Sequence, residues 1–171
     1  MSKMKVLSIM QPWASLIVMG AKQIETRSWM TTYRGPLLIH ANASPRHAKQ
    51  VCNFPMYKKF FRHWTDLPYG CIIGQVTLTN SEPTEDIREL LRKNANVLFN
   101  NYIADPAMEL ALGNFSEERY GWIFSDAQQF QNRIETKGQI RIWDFEMPLN
   151  VAHLSQQATS GNHLNAGFTF R

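Results

Sequence analysis

The run LSIMQPWASLIVMGAKQIETRSWMTTYRGPLLIHA, Leu7 to Ala41, decides how this chain folds. It opens on the end of a short strand, Lys5–Ile9. It then passes into QPWASLIVMG, Gln11–Gly20, which reads as a buried helix. Pro12 suits a first helical position and Gly20 suits a C-terminal cap. Trp13, Leu16, Ile17 and Met19 supply its apolar surface. The next segment, QIETRSW, alternates as a strand does. Ile24, Thr26 and Ser28 fall on one side, and Glu25, Arg27 and Trp29 on the other. Tyr33–Gly35 makes a turn, and the run ends in a second strand reaching Ala41.

Outward from that run, the rest of the chain reads as strands separated by helical excursions. Residues 42 to 68 are part loop and part helix. GCIIGQVTLTN, Gly70–Asn80, is a buried strand rich in Ile, Val and Thr. SEPTEDIRELLRKN, Ser81–Asn94, is a helix with acids early and Arg92 and Lys93 late, an order that complements the helix dipole. Helix and loop follow to Ser116, then strands at Arg119–Ser125 and Gln139–Met147. The sum is an α+β fold, a small β-barrel of five to six strands with an early helix and a helical insertion at about 81–118 packed outside. The domain spans residues 1–148, and residues 149–171 form a polar tail.

Composition narrows the function classes. The 171 residues are 44% hydrophobic and 19% charged, enough for a core and too little charge for a disordered chain. Five Trp and ten Phe fit both packed β-structure and a surface that stacks on rings. The net charge of +4 leans toward an anionic partner. Cys52 and Cys71 belong to no paired motif and read as reduced thiols of a cytoplasmic protein. No signal peptide and no membrane span is visible. The histidines share no metal-ligand spacing, so neither a metal site nor a cofactor is expected. Phosphate-binding glycine loops and serine-hydrolase motifs are absent.

The candidate site residues come from the opening run. By pattern alone, Lys22, Glu25 and Arg27 are either a solvated strand face or a ligand-facing group. Trp13 is a packing residue or a stacking platform, and the same choice holds for Trp29. Gln11 either caps a strand end or reads a base edge. Tyr33 and Arg34 shape a turn or touch a phosphate. Between Pro45 and Trp64, the cations Arg46, Lys49, Lys58, Lys59 and Arg62 interleave with aromatics. That is either a basic solvent face or an electrostatic flank for a nucleic-acid backbone.

Three elements of the opening run, QPWA (Gln11–Ala14), G-x-K-x-x-E-x-R-x-W (Gly20–Trp29) and YRG (Tyr33–Gly35), resemble the ASCH family. That family is named for the activating signal cointegrator homology region and is PUA-like. YGCIIGQVTL and KGQIRIWDF resemble its later strands. The resemblance implies a barrel with a cleft beside the first helix, lined by Lys22, Glu25 and Arg27. It implies binding of nucleic acid, RNA more than DNA, or of a modified nucleoside. A bacterial branch of the family removes the acetyl group of N4-acetylcytidine, using Lys-x-x-Thr with the Thr as nucleophile and a later Glu. This chain has Lys22 and then Glu25 at those positions, the pattern of the cointegrator branch. The alternative is therefore a hydrolase of acylated nucleosides, or a ribonuclease, with Lys22 and Glu25 as acid–base partners.

Overall fold

The computed structural model describes residues 2–147; the tail expected at 149–171 lies outside them. The elements run β1 (Ser2–Ile9), α1 (Trp13–Val18), β2 (Ile24–Arg27), β3 (Gly35–Ala41), α2 (Arg46–Val51) and α3 (Pro55–Lys58). A single 3-10 turn, Trp64–Asp66, precedes β4 (Cys71–Pro83) and α4 (Thr84–Arg92). Then come β5 (Val97–Leu98), β6 (Asn101–Tyr102), α5 (Pro106–Leu112), β7 (Tyr120–Glu135) and β8 (Ile142–Met147). The fold is α+β, as expected, built on one six-stranded sheet in the order β2-β7-β4-β3-β1-β8. Only β1 and β3 run parallel, with Val6 opposite Leu38; the other neighbours are antiparallel.

The sheet is strongly curled. Laid flat, β2 and β1 would stand about 19 Å apart, at roughly 4.8 Å per strand spacing. Instead the Arg27 guanidinium on β2 donates to the Ser8 carbonyl on β1 at 2.8 Å. Arg141, just ahead of β8, likewise lies over the Trp29 ring beyond β2. Both edges of the sheet therefore face each other across a seam.

The concave face of that curl wraps α1. Leu7, Ile9, Leu37, Ile39, Cys71, Ile73, Val76, Leu78, Trp122 and Phe124 pack against Ala14, Ile17 and Val18. On the outer face, Val6, Leu38 and Ile72 meet Trp143 and Met147. Strands covered on both faces read as continuous apolar runs, which is why LLI and CII were legible as strands. Gly74 permits the close approach of α1 to β4. A Cβ there would meet Val18 Cγ1 at 2.7 Å and also overlap the Gln128 carbonyl.

Helix α1 ends as QPWASLIVMG predicts. Gly20 takes φ +75, the left-handed conformation that costs glycine little. Its N–H donates to Ile17 O at 3.0 Å and that of Ala21 donates to Leu16 O at 2.9 Å, which closes the helix end. The chain reverses there, so Lys22, two residues ahead of β2, is buried. Pro12 sits one place earlier than expected, just ahead of the helix, after a cis bond from Gln11.

Several boundaries differ from the expectation. Strand β7 runs to Glu135 rather than stopping at Ser125. Its second half carries only Phe130 and Ile134 into the outer cluster, so its pattern is polar. It is held as a strand by pairing with the start of β4, where Cys71 faces Glu135. Strand β4 runs on to Pro83, which delays the helix start to Thr84. The segment to Ser116 also holds the two-stranded β5–β6 ladder, too short to leave a period. The insertion packs its Ile87, Leu91, Leu98, Ile103 and Phe115 onto Ile24 and Ile123 of β2 and β7.

Candidate functional site

A cleft of about 630 Å³ opens at the seam of the curled sheet. One wall is β2, with Glu25, Thr26 and Arg27. The opposite wall is the end of β1 with Ser8 and Met10, and the approach to β8 with Gln139, Ile140 and Arg141. Trp13 of α1 and His47 of α2 close one end; Leu112, Gly113, Asn114 and Arg119 of the insertion close another.

Lys22 lines the cleft floor but its ammonium is engaged, and the residue is only 2% exposed. Its Nζ donates to the Ile24 carbonyl and lies 3.7 Å from Glu109 Oε2. Glu109 is equally buried and accepts from the backbone N–H groups of Gln23 and Ile24. Burial pushes its carboxyl above the usual range, against the pull of Lys22 and those two N–H groups. The pairing expected between Lys22 and Glu25 is thus replaced by two separate pairs. Glu25 turns instead to Arg27, with Oε1 3.4 Å from Nε. The reason is geometric: consecutive pleats send Glu25 and Arg27 to one side of β2, while the Gly20 reversal aims Lys22 at α5.

Arg27 is anchored through Nη2, which donates to Ser8 O, while its buried Nε faces Glu25 Oε1 at 3.4 Å without forming a hydrogen bond. Arg119 repeats this arrangement, with Nη2 donating to Thr26 O at 3.0 Å and Nε buried and unpartnered. Trp29 stands edge-on to Trp122 at 4.5 Å between centroids, and Arg141 covers it at 5.4 Å. Trp13 donates its indole N–H to Leu112 O at 3.1 Å and meets His47 edge-on at 5.9 Å.

Gln11, Tyr33 and Arg34 do not line this cleft. The fully buried Gln11 amide donates to Ser15 Oγ and Pro68 O and accepts from Ser15 N, so it has no free group for a base. Arg34 donates to Thr31 O, Tyr33 O and Asn80 Oδ1, and the Tyr33 hydroxyl to Pro36 O; both brace the turn between β2 and β3. The cations Arg46, Lys49, Lys58, Lys59 and Arg62 are all exposed. Of the aromatics among them, Tyr57, Phe60 and Phe61 turn inward and pack with Leu16 and Leu112, while Phe54 is exposed. Lys49 lies over the Trp64 ring at 4.4 Å. Among the described residues, no group of three His, Cys, Asp or Glu is placed to hold a metal. None of their helices is long and apolar enough to cross a membrane.

Sequence reasoning missed Arg119, Arg141, His47, Asn42 and Asn114, which reach the cleft from distant segments. It also missed Glu109, which did leave a signal. In α5 the buried residues are Pro106, Glu109 and Leu112, so an acid occupies the inward stripe of a short helix.

His40 on β3 lies near the seam, where its Nε2 donates to Thr136 O at 3.0 Å and Nδ1 has no partner. Burial holds its pKa below the usual histidine value, against the Thr136 carbonyl, so the folded state keeps it neutral. The unfolded chain then binds more protons below about pH 6.5. Stability is present above that pH and is lost as pH falls toward the folded value, by at most about 1.4 kcal/mol per pH unit. Urea unfolding from pH 7.5 to 5 is expected to show this slope, and His40→Phe to flatten it. An unchanged slope in the variant assigns the titration elsewhere.

The sequence profile of the ASCH domain matches residues 7–144. Activating signal cointegrator 1 of Homo sapiens is 28% identical over 149 residues, covering 84% of this chain and 22% of that protein. Activating signal cointegrator 1 of Mus musculus matches at the same identity and extent. The chain thus spans about a fifth of the length of these relatives. Among solved structures, the crystal structure of ASCH from Zymomonas mobilis aligns with a TM-score of 0.46 and 14% identity, covering 91% of this chain and 95% of that one.

Proposed function

Because this chain belongs to the ASCH domain family, we propose that its cleft binds a nucleobase of single-stranded nucleic acid, RNA in preference to DNA, or a modified nucleoside. The observation that carries this reading is the meeting of Arg27, Arg119 and Arg141 with Trp13 and Trp29 around one cleft. Indoles offer faces to a base, and guanidinium groups offer donors to carbonyl or phosphate oxygens. Glu25, on the same wall, is the acceptor for an exocyclic amine. The exposed cations of α2 and α3 stand beside the His47 end and would track a backbone leaving the cleft.

Fluorescence anisotropy with labelled single- and double-stranded RNA and DNA at two salt concentrations tests this. Binding is expected to fall steeply with salt, with a log–log slope of about −0.7 per phosphate neutralised on single strands. Trp29→Ala is expected to weaken it roughly tenfold, within the ~1–3 kcal/mol of one base–aromatic stack. Absence of binding at low salt, or an unchanged affinity in Trp29→Ala, overturns the reading.

A second reading, hydrolysis of an acylated nucleoside, is favoured by the buried Lys22–Glu109 pair at the cleft floor. Carboxyl groups whose titration is perturbed by burial, as that of Glu109 is, recur at catalytic sites. In this reading Glu109 takes the place expected of Glu25 as the partner of Lys22. Incubation with N4-acetylcytidine followed by chromatography decides it: cytidine must form with the wild type and not with a folded Lys22→Gln variant.

A further inference from the structure

We propose that the cleft contains a phosphate subsite, formed by Arg27 and Arg119, that takes a phosphate monoester: a nucleoside monophosphate or the phosphorylated end of a strand. The inference rests on the reading of the cleft as a nucleobase site and specifies which nucleobase compounds it takes.

The two guanidinium groups come off one strand pair. Arg27 of β2 lies opposite Tyr120 of β7, and Arg119 immediately precedes Tyr120. Each is tied through a single Nη2, one to Ser8 O and the other to Thr26 O. Neither buried Nε–H makes a hydrogen bond: that of Arg119 is unpartnered, and that of Arg27 has only Glu25 Oε1 at 3.4 Å. A buried donor without a hydrogen bond is destabilising. These two are fixed in place. Arg119 is held further by its own carbonyl, which accepts from both the N–H and the Oγ1 of the fully buried Thr84. A guanidinium presents its Nε–H and an Nη–H as a fork that matches two oxygens of one phosphate. Two such forks lining one cleft suit an oxyanion with several oxygens.

Charge selects the monoester. Arg27, Arg119 and Arg141 face one carboxylate in the cleft, Glu25, while Lys22 and Glu109 cancel each other, leaving two positive charges in excess. A phosphate monoester carries about −1.5 to −2 at pH 7, whereas a backbone phosphodiester carries one negative charge. The monoester is the closer complement. Volume agrees, since about 630 Å³ suits one small ligand rather than a run of bases.

Isothermal titration of the full chain with the four nucleosides, their 5′-monophosphates, and a short single strand with and without a terminal phosphate tests the subsite. The expected result is that the phosphate raises affinity at least about tenfold. Arg119→Gln should bring the ratio of monophosphate to nucleoside affinity close to one. A thermal melt of the variant separates loss of the subsite from loss of the fold. The wild-type comparison of nucleoside with monophosphate stands without any variant. Tighter binding of the phosphorylated strand than of the free monophosphate makes the strand end the ligand; equal binding makes it the nucleotide. Nucleosides and monophosphates binding alike overturns the phosphate subsite but leaves the nucleobase reading intact. Absence of binding by every compound overturns both.

Discussion

Replacing Glu109 with alanine is expected to destabilise the protein by about 3–5 kcal/mol in equilibrium urea unfolding, the scale for breaking a buried ion pair by removing one partner. Three groups lose their acceptor at once. Lys22 is left as a buried ammonium with only the Ile24 carbonyl, and the N–H groups of Gln23 and Ile24 lose the carboxylate that receives them. The damage should be directional, because this carboxylate joins α5 of the insertion to the start of β2. Hydrogen exchange is expected to rise first across residues 106–112. The double replacement Lys22→Met with Glu109→Met removes both charges and should recover much of the loss, since well-packed apolar pairs often match buried ion pairs. If Glu109→Ala unfolds at wild-type urea concentration, the pair is not what docks the insertion.

Arg27→Ala is expected to weaken nucleic-acid or nucleotide binding about a hundredfold, near 2.7 kcal/mol, the upper part of the range for a hydrogen bond to a charged group. Arg27 acts at two levels. Its Nη2 bridges β2 to β1 across the seam and so helps hold the cleft open at its present width. The side chain also lines the cleft wall, where the proposed ligand would sit. Arg27→Lys keeps the charge but lacks the fork, so it should keep the salt dependence of binding while losing most of the affinity. Titration calorimetry alongside thermal melting distinguishes the two roles. A folded Arg27→Ala variant that binds like the wild type removes this residue from the site.

The opening run was legible because its signals are local. A helix end at Gly20 needs only a residue that tolerates positive φ, and the strands of LLI and CII need only apolar runs. The second half of β7 was not legible, because its strand conformation comes from pairing with β4, whereas its own residues are polar and mostly exposed. Of the candidate site, Trp13, Lys22, Glu25, Arg27 and Trp29 were named from one stretch and do line one cleft. Gln11, Tyr33 and Arg34 came from the same stretch but point elsewhere, their polar groups already used by their own turns and helix start.

The sequence by itself determined the order of elements, the buried first helix with its glycine stop, and the alternation that sends Glu25 and Arg27 to one side of β2. Each of these follows from backbone preferences and periodicity within a few residues. The tertiary structure decided the pairing of the charges. Lys22 meets Glu109 from 87 positions away, Arg119 joins Arg27 through the pairing of β2 with β7, and Arg141 joins them only because the sheet curls until its edges face each other. A charge pair is a matter of distance in space. Spacing along the chain placed Lys22 near Glu25, but the Gly20 reversal and the packing of the insertion on β2 and β7 set which carboxylate reaches the buried ammonium.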